Sequence, residues 1–107
     1  MTKYTRDMIE TKMIEVGDSF ERLERKKDIF GVYMTTTKLG YFLSAIDRAL
    51  MTDKITLTEH SKYFKWYSIM SNNVLEIAME IDNKIYYERR RNETEQWKIY
   101  GWNAEGY

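Results

Sequence analysis

His60 is the side chain in this sequence best suited to acid–base chemistry near neutral pH, and it is the chain's single histidine. Catalysis of that kind needs a second group within hydrogen-bonding distance and a cleft around both. Glu59 is the adjacent residue, so on a helix its side chain points about 100° away from the imidazole. Glu76 and Glu80 are the more distant carboxylates that such a mechanism would have to recruit. We therefore predict a surface histidine, no catalytic residues and a protein that is not an enzyme.

Metal and cofactor chemistry has little support in the sequence. The chain contains no cysteine, which excludes thiolate metal sites, disulfides and thiol nucleophiles within one chain. It has no Asp-x-Asp or Glu-x-x-His cluster for a divalent ion. Gly31 and Gly40 stand alone and belong to no phosphate-binding loop. We predict no metal site and no cofactor.

Arginine and aromatic residues are concentrated near the C-terminal end of the sequence. Tyr, Trp and Arg are the residue types enriched at the energetic centres of protein–protein interfaces. We predict that the protein binds another protein through this group, and the predicted partner-binding residues are Arg89, Arg91, Tyr87, Trp97 and Trp102. The competing interpretation is cross-strand packing of the rings beside solvated arginines.

A second aromatic cluster, from Lys62 to Tyr67, suggests an alternative function. Rings can stack on bases while cations contact phosphates, as on single-stranded nucleic-acid platforms. The residues of this alternative nucleic-acid interface are Lys62, Lys65, Trp66 and Arg90. Seventeen basic and seventeen acidic side chains cancel, so the chain has no excess of positive charge to favour it.

The N-terminal residues carry a helical pattern from Thr5 to about Lys27. Apolar side chains recur there at spacings of three and four, at Ile9, Met13, Val16, Phe20 and Leu23. Gly17 interrupts the pattern, so Asp18 with Glu21 could begin a second helix through a capping box. Residues 19–24 could instead form a strand, and the sequence leaves residues 18–27 open between helix and strand.

The middle of the chain predicts a strand followed by two helices. Ile29–Met34 is rich in β-branched and aromatic residues and is predicted to be a strand. The hydroxyls of Thr35–Thr37 would then cap a helix with apolar residues at Leu39, Phe42, Leu43, Ile46, Ala49 and Leu50. Thr58 is predicted to cap the next helix, Glu59–Ser71, although Tyr63, Lys65, Tyr67 and Ile69 also alternate as in a strand.

The C-terminal third predicts an antiparallel meander of three strands. Alternating apolar residues indicate strands at Val74–Ile81, Ile85–Arg90 and Gln96–Trp102. Turns are predicted at Asp82-Asn83 and around Asn92. The predicted fold class is thus α+β, with two to three helices packed on one face of a small antiparallel sheet that ends in this meander, in a single domain of residues 1–107.

Composition suggests the setting of this binding module. The N-terminal residues lack an apolar stretch of signal-peptide length, and no stretch approaches ~18 uncharged apolar residues, so we predict a cytoplasmic protein without a membrane segment. Abundant Lys, Asn, Tyr and Met suggest a phage or mobile-element accessory protein that acts as an inhibitor or adaptor of a host protein. A homodimer would cover the surplus aromatic surface and the long apolar N-terminal stripe.

Overall fold

Residues 1–99 fold as three α-helices. The computed structural model describes the backbone of residues 1–99 and the side chains of residues 1–91. Helix α1 spans Lys3–Lys26, α2 spans Ile29–Met51 and α3 spans Leu57–Ile99. Residues 1–99 contain no strand, so the predicted α+β fold class is wrong and the chain is a helical bundle.

Helix α1 is continuous through Gly17, which settles the assignment of residues 18–26 as helix. Its buried apolar side chains include Ile9, Val16 and Leu23, members of the stripe that the spacing predicted. The helix ends at Lys27, whose left-handed backbone (φ 46°, ψ 50°) turns the chain toward α2.

Ile29–Met34, predicted to be a strand, is instead the first part of α2. Asp28 caps this helix, because its Oδ1 atom accepts a hydrogen bond of 2.7 Å from the Gly31 backbone N–H. The predicted capping residues, Thr35–Thr37, therefore lie inside the helix. There the Thr35 hydroxyl donates to the Gly31 carbonyl over 2.7 Å. The cap at Asp28 and the burial of Gly31 and Thr35 outweigh the β propensity of this segment.

The predicted C-terminal meander is also wrong, because its strands lie on α3. The helix begins with a reciprocal capping box, in which Thr56 Oγ1 accepts from the Glu59 N–H (3.1 Å) and Glu59 Oε1 accepts from the Thr56 N–H (2.9 Å). The bond from the Thr56 backbone N–H to the Glu59 carboxylate is the largest cause that lowers the pKa of Glu59. Thr56 thus caps the helix in place of Thr58, and the helix continues past its predicted end at Ser71.

Burial along α3 follows a helical period. Val74 is buried and Ile77 packs against the core, whereas Leu75 and Met79 are exposed. A strand would have placed Leu75, Ile77 and Met79 on one face. The predicted turn at Asp82-Asn83 is helical, as are residues 96–99 of the predicted third strand, and its residues 100–102 lie outside the described residues.

Helix α2 lies at the centre of the bundle, because both α1 and α3 pack against it. Phe42 is fully buried, and its ring lies 5.1 Å from that of Trp66 and 6.3 Å from that of Tyr63. Between α1 and α2, the hydroxyls of Ser19 and Thr35 share a buried hydrogen bond of 2.8 Å. The apolar core therefore runs along the bundle and includes one satisfied polar pair.

Helix α3 is much longer than its neighbours, with 43 residues against 24 in α1 and 23 in α2. Its contact with the α1–α2 turn includes an ion pair of 3.3 Å between Lys27 and Glu80. A groove beside this turn is lined on α3 by residues as far as Glu88. From Glu88 to Ile99 the helix extends by roughly 17 Å, and the molecule measures 71 × 23 × 16 Å.

Candidate protein-binding surface

Three of the predicted partner-binding residues, Tyr87, Arg89 and Arg91, lie on α3 near the α1–α2 turn. We call residues 86–91 the Tyr/Arg segment; all six side chains are exposed. Tyr86 and Tyr87 are 56% and 69% exposed, and their ring centroids lie 5.6 Å apart at 74°. Both rings are thus available at the surface rather than packed beneath other elements.

The helix distributes this segment over several faces. Successive residues are rotated by about 100°, so Arg89, Arg90 and Arg91 point in three directions. Tyr87 and Arg91 are four residues apart and share one face. Lys84, three residues before Tyr87, extends the same face. Lys84, Tyr87 and Arg91 therefore place one tyrosine and two cations on a single side of α3. The three arginines do not form one block.

Two of the predicted partner-binding residues lie beyond the described side chains. Trp97 is on α3, where only its backbone is described, and Trp102 lies outside the described residues. Of the predicted set, the structure places Tyr87, Arg89 and Arg91 close together on the helix, with Tyr87 and Arg91 on one face. The role of all five residues stays a prediction.

The residues of the alternative nucleic-acid interface are not brought together. Trp66 and Arg90 are separated by roughly 36 Å of helix. The ring of Trp66 packs edge-on against Phe42 in the core, so its use is structural. Lys62 and Lys65 are exposed on the same half of α3 as Trp66. Four acidic residues lie between them and Arg90: Glu76, Glu80, Asp82 and Glu88.

His60 has a partner that the sequence analysis missed. Its Nε2 lies 2.7 Å from Asp47 Oδ1 on α2, and its ring stacks on that of Phe64 at 6.2 Å. The His60 side chain is only 15% exposed, so the imidazole is partly buried between helices instead of standing free at the surface. A partner on another helix leaves no signal in the local sequence. The pair joins α3 to α2.

Metal binding and membrane crossing have no support in the described residues. Among them, no group of three or more His, Asp or Glu side chains is arranged to hold a metal ion. Within that same part of the chain, no helix is both long and apolar enough to cross a membrane. No protein-family model, curated protein or solved structure matches this chain.

Proposed function

We propose that this chain is a non-catalytic protein-binding module that presents the Tyr/Arg segment of α3 to a partner protein. The observation that carries the proposal is the exposure of Tyr87, 69% of its surface, on a helix that continues past the α1–α2 turn. A projecting helix can enter a groove on a partner without any rearrangement of the bundle. An exposed tyrosine supplies a large contact area at a small cost in side-chain entropy.

The arrangement of charge favours a protein partner over nucleic acid. The chain has no net charge at neutral pH, and the basic residues of the alternative interface are spread along α3 with acidic residues between them. Phosphate binding would require several cations on one continuous track. A protein groove with one apolar pocket and an acidic rim needs only the face of Tyr87, Arg91 and Lys84.

The biological setting stays a prediction. A role as a phage or mobile-element inhibitor or adaptor rests on composition, as does the cytoplasmic location. The binding proposal depends on neither of them.

Paired variants test the proposal in the full-length chain. Tyr87→Ala combined with Arg91→Ala should abolish capture of a partner from extracts of the native host, because truncating hot-spot residues removes most of the binding energy. Lys62→Ala combined with Lys65→Ala alters two exposed cations on the same helix and should leave capture unchanged. Both double variants should melt near the wild-type temperature, since the altered side chains are exposed.

Two results would contradict the proposal. Equal capture by both double variants would remove the Tyr/Arg segment from the interface. Capture that is lost after nuclease treatment, together with a decline of oligonucleotide affinity as salt rises, would instead support the nucleic-acid alternative.

A further inference from the structure

A second exposed surface runs along the earlier part of α3, and it is mostly apolar. Residues spaced by three, four and seven positions share one side of a helix. We call this set the outer stripe: Leu57, Ser61, Phe64, Ser68, Ser71, Leu75, Met79, Asp82 and Tyr86. Its large apolar members are between 44% and 69% exposed. Asp82 is its single charged member, in a chain whose composition is 32% charged.

Contacts on α3 show that α1 does not cover this stripe. Residues at both ends of α1 meet other sides of the helix: Tyr63 donates to the Met1 sulfur over 3.9 Å, and Glu80 pairs with Lys27. The stripe instead borders α2. Phe64 stacks against His60, which bonds to Asp47 of α2, and Asp82 lines an apolar groove with Ile29.

We propose that the outer stripe binds a second copy of this chain, with the two α3 helices antiparallel about a two-fold axis near Ser71. The stripe is complementary to itself in that arrangement. Leu57 lies opposite Tyr86 of the second copy, and Phe64 lies opposite Met79. Leu75 lies opposite Ser68, so that a large side chain meets a small one along the centre of the contact.

The polar members of the stripe also match. Asp82 lies opposite Ser61 of the second copy, whose hydroxyl can donate a hydrogen bond to the carboxylate. The two Asp82 side chains lie roughly 30 Å apart along the helix axis, well beyond the Debye length at physiological salt. The contact therefore opposes no like charges. An apolar stripe of this length binds a copy of itself only if like charges do not face each other.

The chain exposes more surface than a compact monomer of its mass, as expected if a second copy covers part of that surface. The chain exposes 8291 Å², whereas a compact monomer of this mass exposes about 6,300 Å². Part of the excess comes from the projecting end of α3. The whole excess is larger than the ≈ 800 Å² that each partner buries in a standard interface. The contact along the stripe, from Leu57 to Tyr86, is roughly 44 Å long.

This interface includes Tyr86 of the Tyr/Arg segment but not the proposed partner-binding face of Tyr87, Arg91 and Lys84. Tyr87 is rotated by about 100° from Tyr86 and lies outside the outer stripe. A substitution can therefore abolish self-association without abolishing partner capture, or the reverse. The predicted dimer through the apolar stripe of α1 is a different arrangement, because Ile9, Val16 and Leu23 are already buried within one chain.

Sedimentation or light scattering of the full-length chain tests the proposal. The wild type should have twice the 13.0 kDa mass of one chain. Leu75→Lys should shift it to the mass of one chain, because it places a charge at the centre of the contact. Ile14→Lys is the matched control: Ile14 is 64% exposed on α1, and the variant should remain a dimer.

Crosslinking tests the register, since the chain has no cysteine of its own. A short bis-maleimide should join two copies of Ser71→Cys in high yield. Ile69→Cys is exposed but lies about 160° around the helix from Ser71 and should not be joined. Three results would each overturn the proposal. They are a wild-type mass of one chain at high concentration, a dimer that survives Leu75→Lys, and equal crosslinking at both positions.

Discussion

Asp28 joins α1 to α2 through one carboxylate. Its Oδ1 accepts from the Gly31 backbone N–H, and both of its oxygens lie 3.2 Å from the guanidinium of Arg22. Arg22 also lies over the ring of Phe30, 5.1 Å from its centroid. The ionised Asp28 side chain thus caps the start of α2 and also binds a residue of α1 across the turn.

The pKa of Asp28 predicts an acid-sensitive contribution to stability. The Gly31 N–H and then the Arg22 guanidinium hold this pKa below its ordinary value of 3.8. A lowered pKa in the folded state stabilises the protein above that ordinary value, and the stabilisation is lost as pH falls through the lowered pKa. Thermal unfolding followed from neutral to acid pH should show this loss in the wild type.

Replacement by Asn should remove the pH dependence that Asp28 contributes while retaining a capping oxygen. Asp28→Asn should therefore lower the melting temperature at neutral pH and narrow its difference from wild type in acid. Asp18→Asn, at an exposed position of α1, serves as the control. This role would be contradicted if the melting temperatures of the wild type and Asp28→Asn differed by the same amount at every pH.

Gly31 and Gly17 should respond in opposite ways to alanine. A Cβ at Gly31 would lie 2.8 Å from Asp28 Oδ1 and 3.0 Å from Leu23 Cδ1, whereas at Gly17 it would meet nothing within 4 Å. We expect Gly31→Ala to destabilise the fold by about 1–3 kcal/mol through overpacking. Gly17→Ala should stabilise it by about 0.5–1 kcal/mol, because alanine favours a helix. Urea unfolding of both variants compares them directly, and equal shifts of the same sign would contradict this difference in packing.

The first residues of α2 show why a strand was predicted for a segment that is helical. The helix buries residues toward both neighbours: Thr35 bonds to Ser19 of α1, and Phe42 packs against Trp66 of α3. Over Ile29–Met34 the narrow stripe that identifies an amphipathic helix is obscured, because Ile29, Phe30 and Tyr33 are apolar or aromatic yet exposed. The cap at Asp28 and the packing of Gly31 against α1 override the local β propensity.

Phe42 packs α2 against two aromatic residues of α3. Phe42→Ala should cost about 3–5 kcal/mol, because it leaves a cavity beneath Tyr63 and Trp66. Tyr41→Ala is the neighbouring control; Tyr41 is 61% exposed, and the change should stay within about 0.5 kcal/mol. Chemical denaturation measures both, and similar losses for the two variants would contradict this assignment of the core.

The whole molecule is elongated. Its radius of gyration is 21.2 Å, whereas a compact chain of this length has about 13 Å. The extension comes from α3, which carries both proposed surfaces, the Tyr/Arg segment and the outer stripe. The proposed contacts with other proteins would use the apolar side of this rod and the exposed Tyr and Arg side chains of residues 86–91, and not a pocket that encloses a small molecule.

The sequence by itself determined the stripe of α1, most of the apolar positions of α2 and the cluster of Tyr and Arg residues, because these depend on spacing and residue type. Tertiary structure decided that residues 29–34 and 74–99 are helical. Alternation and a helical period overlap over short segments, and only the neighbouring helices select between them: Val74 and Ile77 meet the core, while Leu75 stays outside. The pairing of His60 with Asp47 likewise depends on two helices meeting, which spacing along one chain does not encode.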